Sequence, residues 1–217
     1  MTHLILALAI PILLLPSTAF VFSIAVKKFE REKGYLIGFL FYWTIWCLLI
    51  PLFITGWDGF LSLFVDKTPL LSPPNWLVAA LWAFITLVST LIYGKAFLHA
   101  SPTLIFIAIP AATINGFCEE ILWRGLYIHM FPENFWLAII IPSIGFALWH
   151  LVPLSVFSDG NKWSFVLSTF FLGLAYGFIA YKTGSATWTA ISHGLNGILA
   201  LGGAITPSLL KILRLGK

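Results

Sequence analysis

Charged residues are scarce in this sequence. Of its 217 residues only 12 are Lys or Arg and 8 are Asp or Glu, so that 9% are charged and 60% are hydrophobic. About a quarter of the residues of a soluble globular domain carry a charge, and the composition excludes that class. The chain is therefore expected to be an integral membrane protein, whose many Trp and Tyr residues suit the lipid–water boundary.

Cysteine is nearly absent as well. Cys47 and Cys118 both lie in apolar stretches without CxxC spacing, which argues against a disulfide framework and a thiolate metal site. A glycine-rich phosphate loop and a dinucleotide fingerprint are also missing, so no cofactor is expected. The net charge of +4 is interpreted as a topology signal rather than a nucleic-acid surface. No nucleic acid partner is expected.

Long apolar runs are what the sequence has in abundance. A bilayer core of about 30 Å needs roughly 20 apolar residues per helix. Seven runs approach or exceed that length: 4–26, 35–55, 76–94, 103–130, 135–157, 163–181 and 185–204. An eighth apolar piece, 59–65, is too short to cross and suggests a re-entrant or interfacial segment. The sequence thus predicts one all-α polytopic transmembrane domain, 1–217, with about seven spans, or eight if the short piece is counted.

Basic residues are distributed unequally between the loops. The odd-numbered loops and the carboxyl-terminal tail contain Lys27, Lys28, Arg31, Lys33, Lys95, Lys162, Lys211, Arg214 and Lys217. The even-numbered loops contain only Lys67 and Lys182. Because cytoplasmic loops carry the excess of Lys and Arg, a multi-pass cell-membrane protein with an external amino terminus and a cytoplasmic carboxyl terminus is expected. The first run lacks a basic start and is expected to be a retained helix rather than a signal peptide.

A few polar residues interrupt the apolar runs. They are Glu119, Glu120, Arg124, Asn115, His150, His193 and Asn196. A charged group at the bilayer centre costs about 2.5–3.5 kcal/mol on insertion scales and faces a protein interior or a water-filled cavity. These side chains are therefore predicted to converge on one interior site.

Helical spacing divides the two adjacent glutamates between two directions. Glu120 and Arg124 are four residues apart and can pair on one helix face, whereas Glu119 is turned about 100° away. One carboxylate can thus be held by Arg124 while the other serves as a general base. The alternatives are a purely structural Glu120–Arg124 pair, and histidines that only hydrogen-bond a neighbouring carbonyl.

Three motifs carry a family resemblance. EEILWR at 119–124, FALWH at 146–150 and SHGLNG at 192–197 resemble, in order and spacing, the EExxxR, FxxxH and third motifs of the CAAX prenyl endopeptidase family, also called the CPBP family of intramembrane proteases. The similarity covers 103–204, which would be the catalytic core.

The resemblance implies a membrane endopeptidase with a conical intramembrane active-site cavity. Glu119 would activate a water, His150 would help to position it, and His193 would contribute to stabilising the oxyanion. Glu120 and Arg124 would hold the geometry. The expected substrate is the C-terminal or membrane-proximal tail of a membrane-associated or exported protein, and the expected surroundings are the lipid bilayer.

One position departs from the family pattern. The third motif usually has Asn four residues after the His, but position 197 is Gly and the nearest amide is Asn196. An i,i+3 neighbour still lies near the same face, so Asn196 is a candidate replacement. The alternatives are a catalytically silent member acting as an immunity or scaffold protein and, less favoured, a proton-coupled transporter, for which no inverted repeat is evident.

The depth of the site raises a further expectation. If the fourth span begins at 103, Glu119 lies roughly 24 Å from its cytoplasmic start, whereas His150 near the end of the antiparallel fifth span lies closer to that side. Pro110 is therefore expected to mark the first turn of the catalytic helix, with 103–109 in a bend.

Two questions remain open at the level of sequence. Two histidines and a carboxylate can form a facial metal triad, so a zinc ion is the alternative to a metal-free, glutamate-type site, although no HExxH motif is present. The GxxxG spacing of Gly173 and Gly177 permits close helix approach. That seam is interpreted either as simple packing or as a place of lateral substrate entry.

Overall fold

The regular secondary structure of the described residues is helical. The computed structural model describes residues 2–157 and 161–214, which contain no strand. They form α1 (Thr2–Lys28), α2 (Arg31–Ser62), α3 (Pro73–Leu98), α4 (Pro102–Met130), α5 (Trp136–Val156), α6 (Lys162–Thr183), α7 (Thr187–Leu199) and α8 (Ile205–Ile212). The predicted all-α bundle is confirmed; Lys217, counted above for topology, lies outside the described residues.

Within that part of the chain, six helices, α1 to α6, are long and apolar enough to cross a membrane. The seventh predicted span, 185–204, contains only the 13 residues of α7, which rise about 20 Å. A turn in which Leu201, Gly202 and Gly203 have positive φ separates α7 from α8. The predicted number of about seven spans is therefore one more than the number of full-length spanning helices in the described residues, because apolar composition does not reveal where a helix ends.

The apolar piece 59–65 lies beyond a sharp kink in α2. The helical path breaks at Gly56, where φ is 69° and ψ is 176°, and a second short helical stretch follows it to Ser62. A residue with a Cβ rarely adopts that conformation, so glycine is the residue that permits the bend. The piece therefore begins in this short stretch after the kink, and its interpretation as a re-entrant or interfacial segment stays a prediction.

The start of α4 differs from the prediction. Ser101 caps the helix, its Oγ accepting a hydrogen bond from the backbone N of Leu104 at 3.2 Å, and Pro102 takes the first position, where a missing N–H leaves no bond unmade. The helix then runs without a break through Pro110. The expected bend over 103–109 is wrong because Pro102 already fills the role assigned to Pro110.

The depths of Glu119 and His150 in the bundle can be compared by counting residues from the turn that joins α4 to α5. Glu119 precedes the end of α4 at Met130 by 11 residues, and His150 follows the start of α5 at Trp136 by 14. Because the two helices are antiparallel, both side chains reach a similar depth when counted from that turn. No bend in α4 is needed to bring them together.

Glycines let α4 and α7 approach closely. A Cβ on Gly116 would lie 2.7 Å from the backbone N of Gly194, and a Cβ on Gly197 would lie 3.0 Å from Cβ of Ala112. Larger side chains at these positions would hold the two helices apart. The close approach brings His193 against the glutamates of α4.

The seam of Gly173 and Gly177 is a packing contact. A Cβ on Gly177 would lie 2.8 Å from Cγ2 of Ile139, and a Cβ on Gly173 would lie 3.2 Å from Cβ of Ser143. Both glycines are buried, so α6 lies directly on α5 here. Of the two interpretations of this seam, the packing one agrees with the structure.

The loop between α2 and α3 is fastened to the turn between α6 and α7. Asp66 accepts hydrogen bonds from Oγ of Ser185 and, at 2.7 Å, from Nε1 of Trp188. The backbone N of Lys67 donates to the carbonyl of Thr183 at 2.8 Å. We call this end of the bundle the far end and the opposite one, with the α1–α2 turn, the mouth end.

The outer surface of the bundle is apolar. Phe53, Leu77 and Leu98 are 88%, 86% and 80% exposed, and large hydrophobic side chains of α1, α3 and α6 share this property. A soluble monomer rarely exposes such extensive apolar surface, whereas lipid tails cover it without cost. The chain is a multi-pass membrane protein.

Candidate active site

A cavity of about 320 Å³ lies inside the bundle. Its polar lining consists of Asn115, Glu119, His150 and His193, and most of the remaining wall is apolar or aromatic. Toward the mouth end, the wall includes Tyr35 near the start of α2, Phe157 just after α5 and Phe165 near the start of α6. The cavity thus gathers residues from helices that are distant in sequence.

Glu119 is held at both oxygens. Its side chain is almost fully buried, and its Oε1 accepts a hydrogen bond from Nε1 of Trp149 at 3.1 Å. Its Oε2 lies 3.3 Å from Nδ2 of Asn115 and 3.4 Å from Nε2 of His193. These two contacts are at the long end of the hydrogen-bond range, so Oε2 is the oxygen better able to take a proton from a bound water.

Glu120 and Arg124 form the ion pair that their spacing predicts. Nη1 of Arg124 lies 2.8 Å from Oε1 of Glu120, with 1% and 0% of the two side chains exposed. The guanidinium also lies 4.3 Å from the ring centroid of Phe146, a favourable cation–π geometry. Glu120 therefore turns away from Glu119, toward the protein core.

His193 lies between the two carboxylates. Its Nδ1 is 2.9 Å from Oε1 of Glu120, and its Nε2 is 3.4 Å from Oε2 of Glu119. A neutral imidazole carries one N–H only, so the second contact is attractive when either His193 or Glu119 holds an additional proton. Both ring nitrogens of His193 therefore face carboxylate oxygens, and neither points freely into the cavity.

The hydrogen bond of His150 fixes its tautomer. Its Nδ1 lies 2.8 Å from the carbonyl oxygen of Phe146, and because a carbonyl only accepts, Nδ1 must carry the hydrogen. In the neutral ring Nε2 then bears a lone pair. As a hydrogen-bond acceptor, Nε2 of His150 can orient a water beside Glu119.

Asn196 lies apart from the cavity. Its Nδ2 donates to the hydroxyl of Tyr176 at 2.8 Å, and the residue is not among those that line the cavity. Gly197, by contrast, does line it. At the position where the family motif usually has Asn, the wall is therefore bare backbone, and the neighbouring amide faces α6.

Sequence reasoning overlooked the aromatic support of Glu119. Trp149 is fully buried, stacks on Tyr42 with ring centroids 3.7 Å apart and donates its N–H to the carboxylate. The hydroxyl of Tyr42 accepts in turn from Nε1 of Trp123 at 2.8 Å. The only signal was the position of Trp149 directly before His150, and tryptophan is too common in this chain for that to be informative.

The described residues, 2–157 and 161–214, include no group of three or more His, Cys, Asp or Glu side chains arranged to hold a metal ion. Glu119 and Glu120 turn to different partners, and His193 uses both nitrogens on them. Independence from a metal stays a prediction that chelation can test.

These features define a polytopic membrane protein with a buried carboxylate–histidine site. Residues 101–199 match the family model described as Type II CAAX prenyl endopeptidase Rce1-like, and all three motifs lie inside the match. Over this stretch the chain is similar to the CAAX prenyl endopeptidases. A comparison with curated proteins and one with solved structures find no match.

Proposed function

We propose that this protein is an intramembrane endopeptidase that hydrolyses a peptide bond with a water activated by Glu119. The proposal rests chiefly on one observation: Glu119, His150 and His193, from three helices, line one cavity inside a transmembrane bundle. A carboxylate that is buried but reaches a cavity suits general base catalysis. The family match, whose name describes a peptidase, agrees with this chemistry.

The reaction balances with the groups at hand. Water attacks the scissile carbonyl carbon while Glu119 takes one of its protons, and the carbonyl oxygen becomes an oxyanion. When the carbon–nitrogen bond breaks, the proton passes from Glu119 to the leaving amine. His150 orients the water through Nε2, and His193 shares its proton with Glu119 as the carboxyl group changes charge.

Glu120 and Arg124 act by holding His193. Glu120 accepts from both Arg124 and Nδ1 of His193 at 2.8 and 2.9 Å, so one carboxylate oxygen fixes the ring. A fixed ring keeps Nε2 directed at Glu119. The pair is thus a positioning element rather than part of the reacting group.

The distribution of charge supports a cytoplasmic mouth. Eight basic residues lie at or near the mouth end of the described helices: Lys27, Lys28, Arg31, Lys33, Lys95, Lys162, Lys211 and Arg214. Lys67 and Lys182 lie at the far end. Under the positive-inside rule, the cavity would open toward the cytoplasm, with the amino terminus outside.

An apolar tail is the substrate that this cavity favours. Phe39, Phe157 and Phe165 contribute to its wall, and such surfaces bind aliphatic side chains better than charged ones. The substrate would be the C-terminal or membrane-proximal tail of a membrane-associated protein. The family description names a prenylated CAAX tail, which makes prenylation the first feature to vary.

The test uses purified protein in liposomes and two fluorogenic peptides. Both end in Cys, two aliphatic residues and a free carboxyl-terminal residue, and only one is farnesylated. We expect wild type to cleave at least one of them, Glu119→Ala and His150→Ala to lose cleavage by at least about 100-fold, and a chelator to have no effect. Glu133→Ala, in the exposed turn between α4 and α5, is the matched control and should retain full activity.

Other outcomes would redirect the proposal. Chelator-sensitive cleavage would assign the reaction to a bound metal. If wild type cleaves neither peptide nor a panel of membrane and exported proteins, the bare wall at Gly197 makes a catalytically silent family member the better description.

A further inference from the structure

The cavity is short of hydrogen-bond donors for an oxyanion. Peptide hydrolysis places negative charge on the carbonyl oxygen, and removing one donor to such an oxygen typically costs about 100- to 1000-fold in rate. Both nitrogens of His193 face carboxylates, Nε1 of Trp149 donates to Glu119 and Nδ1 of His150 donates to Phe146. None of these N–H groups is free in this arrangement.

Asn115 lies where a donor is needed. Ala112, Asn115 and Glu119 are spaced three and four residues apart, so they share one face of α4. All three line the cavity. Across from this face lies Gly197, whose added Cβ would meet Cβ of Ala112 at 3.0 Å. The amide therefore stands on α4, opposite the position that has no side chain on α7.

The orientation of the Asn115 amide is fixed by its partners. Nε1 of Trp43, which can only donate, lies 3.0 Å from one end, so that end must be the oxygen. The other end is the NH₂ group, 3.3 Å from Oε2 of Glu119. One of its two hydrogens is directed at the carboxylate, and the other has no partner among the described residues.

We propose that Asn115 is a catalytic residue that donates from Nδ2 to the oxyanion, supplying from α4 the amide that position 197 lacks. The inference rests on the proposed peptidase function and deepens it. Because Nδ2 already contacts the oxygen that receives the water's proton, its second N–H lies close to the carbon under attack. Tyr35 is the competing donor, since its hydroxyl also belongs to a cavity-lining residue.

The experiment separates donation to the oxyanion from orientation of Glu119. Two probes are used. One is the fluorogenic peptide that wild type cleaves, and the other is its phosphinate analogue, in which a tetrahedral anionic group replaces the scissile bond. Asn115→Ala should lower kcat by about 100-fold and change KM by less than threefold. Tyr35→Phe, which removes one hydroxyl only, tests the competing donor, and a loss of kcat there as large as that in Asn115→Ala would contradict the assignment.

A second comparison uses Glu119→Gln as the background, where water activation is already lost. Adding Asn115→Ala to it should weaken phosphinate binding by at least 30-fold and binding of the cleaved product peptide by less than threefold. A residue that only orients Glu119 would leave phosphinate affinity unchanged in this background. Asn115→Ser, whose shorter side chain reaches less far, should show the same selective loss and serves if the alanine variant does not purify as a monodisperse protein.

The outcomes are distinct. If wild type cleaves and Glu119→Ala does not, the peptidase function stands, and the role of Asn115 is then judged by its own variants. Equal weakening of phosphinate and product, a kcat within threefold of wild type, or a selective loss in Tyr35→Phe instead would overturn the assignment. If wild type cleaves no peptide, the function and the assignment fall together.

Discussion

Arg124 is buried between a carboxylate and aromatic rings. Removing a guanidinium from water is costly, and the cost is recovered only while its partners remain in place. Glu120 supplies the countercharge at 2.8 Å, and Phe146 and Tyr176 have ring centroids 4.3 and 5.6 Å from the guanidinium carbon. The same pair orients His193, so stability and activity are coupled at this residue.

Removing one charge of the Glu120–Arg124 pair should lower the free energy of unfolding. Arg124→Met or Glu120→Leu alone should lower the free energy of unfolding by about 3–5 kcal/mol, because each leaves a buried charge unpaired. The double variant should be destabilised less than either single variant. Unfolding in detergent, read as a double-mutant cycle, measures the coupling.

The surface pair Lys33–Glu30 provides the control. Its side chains are 49% and 70% exposed, and Lys33→Met should cost less than about 1 kcal/mol. Strictly additive effects at Glu120 and Arg124 would contradict the buried-pair interpretation.

Sequence spacing predicts some of the contacts in this site and not others. The i,i+4 rule finds Glu120 and Arg124 because both lie on one helix. Neither Trp149 as a donor to Glu119 nor the Trp43 bond to Asn115 follows from spacing, since each joins two helices. Asn196 and Gly197 show the same limit, because a rotation of one position decides which of them faces the cavity.

Glycine spacing controls the contact of α4 with α7 at the scale of the element. Gly116 faces the backbone of Gly194 so closely that any side chain would push α7 outward. Since His193 directly precedes Gly194, the same displacement would withdraw its ring from both glutamates. Packing of these two helices and assembly of the site are one event.

A single methyl group should therefore disturb both stability and cleavage. Gly116→Ala is expected to lower the free energy of unfolding by about 1–3 kcal/mol through overpacking and to reduce cleavage of the peptide probe at least tenfold. Thermal unfolding and peptide turnover, measured on the same preparation, check the two effects.

Gly94 in α3 is the matched position. An added Cβ there meets only Cγ2 of Thr90, at 3.8 Å. Gly94→Ala should leave cleavage unchanged and stabilise the helix by up to about 1 kcal/mol. Normal activity in Gly116→Ala would mean that α7 can shift without moving His193.

The whole molecule has one basic end and one end poor in basic residues. Its bundle class and most of its long helices follow from composition and run length, because lipid requires apolar helices of that length. The short α7 and the turn after it do not, since hydropathy cannot distinguish one long helix from a short helix that is followed by a turn. The kink at Gly56 and the start at Pro102 likewise depend on local backbone choices.

The orientation can be tested with introduced cysteines. His99→Cys lies at the mouth end and Glu133→Cys at the far end, both exposed, and the native Cys47 and Cys118 are buried. In intact cells a membrane-impermeant maleimide should label the Glu133→Cys variant and should label the His99→Cys variant only after permeabilisation. The reverse pattern would place the cavity mouth outside the cell.

The packing at the far end affects whether ions can cross the membrane through the protein. Beyond Glu119, toward that end, α4 carries the fully buried Leu122, Leu126 and Tyr127, and Asp66 ties down the loop above them. Packed side chains thus fill the space between the cavity and the far end. Moving one elementary charge across 100 mV is worth about 2.3 kcal/mol, and in the proposed protease this packed layer would keep ions from crossing the bilayer along the water that enters the cavity.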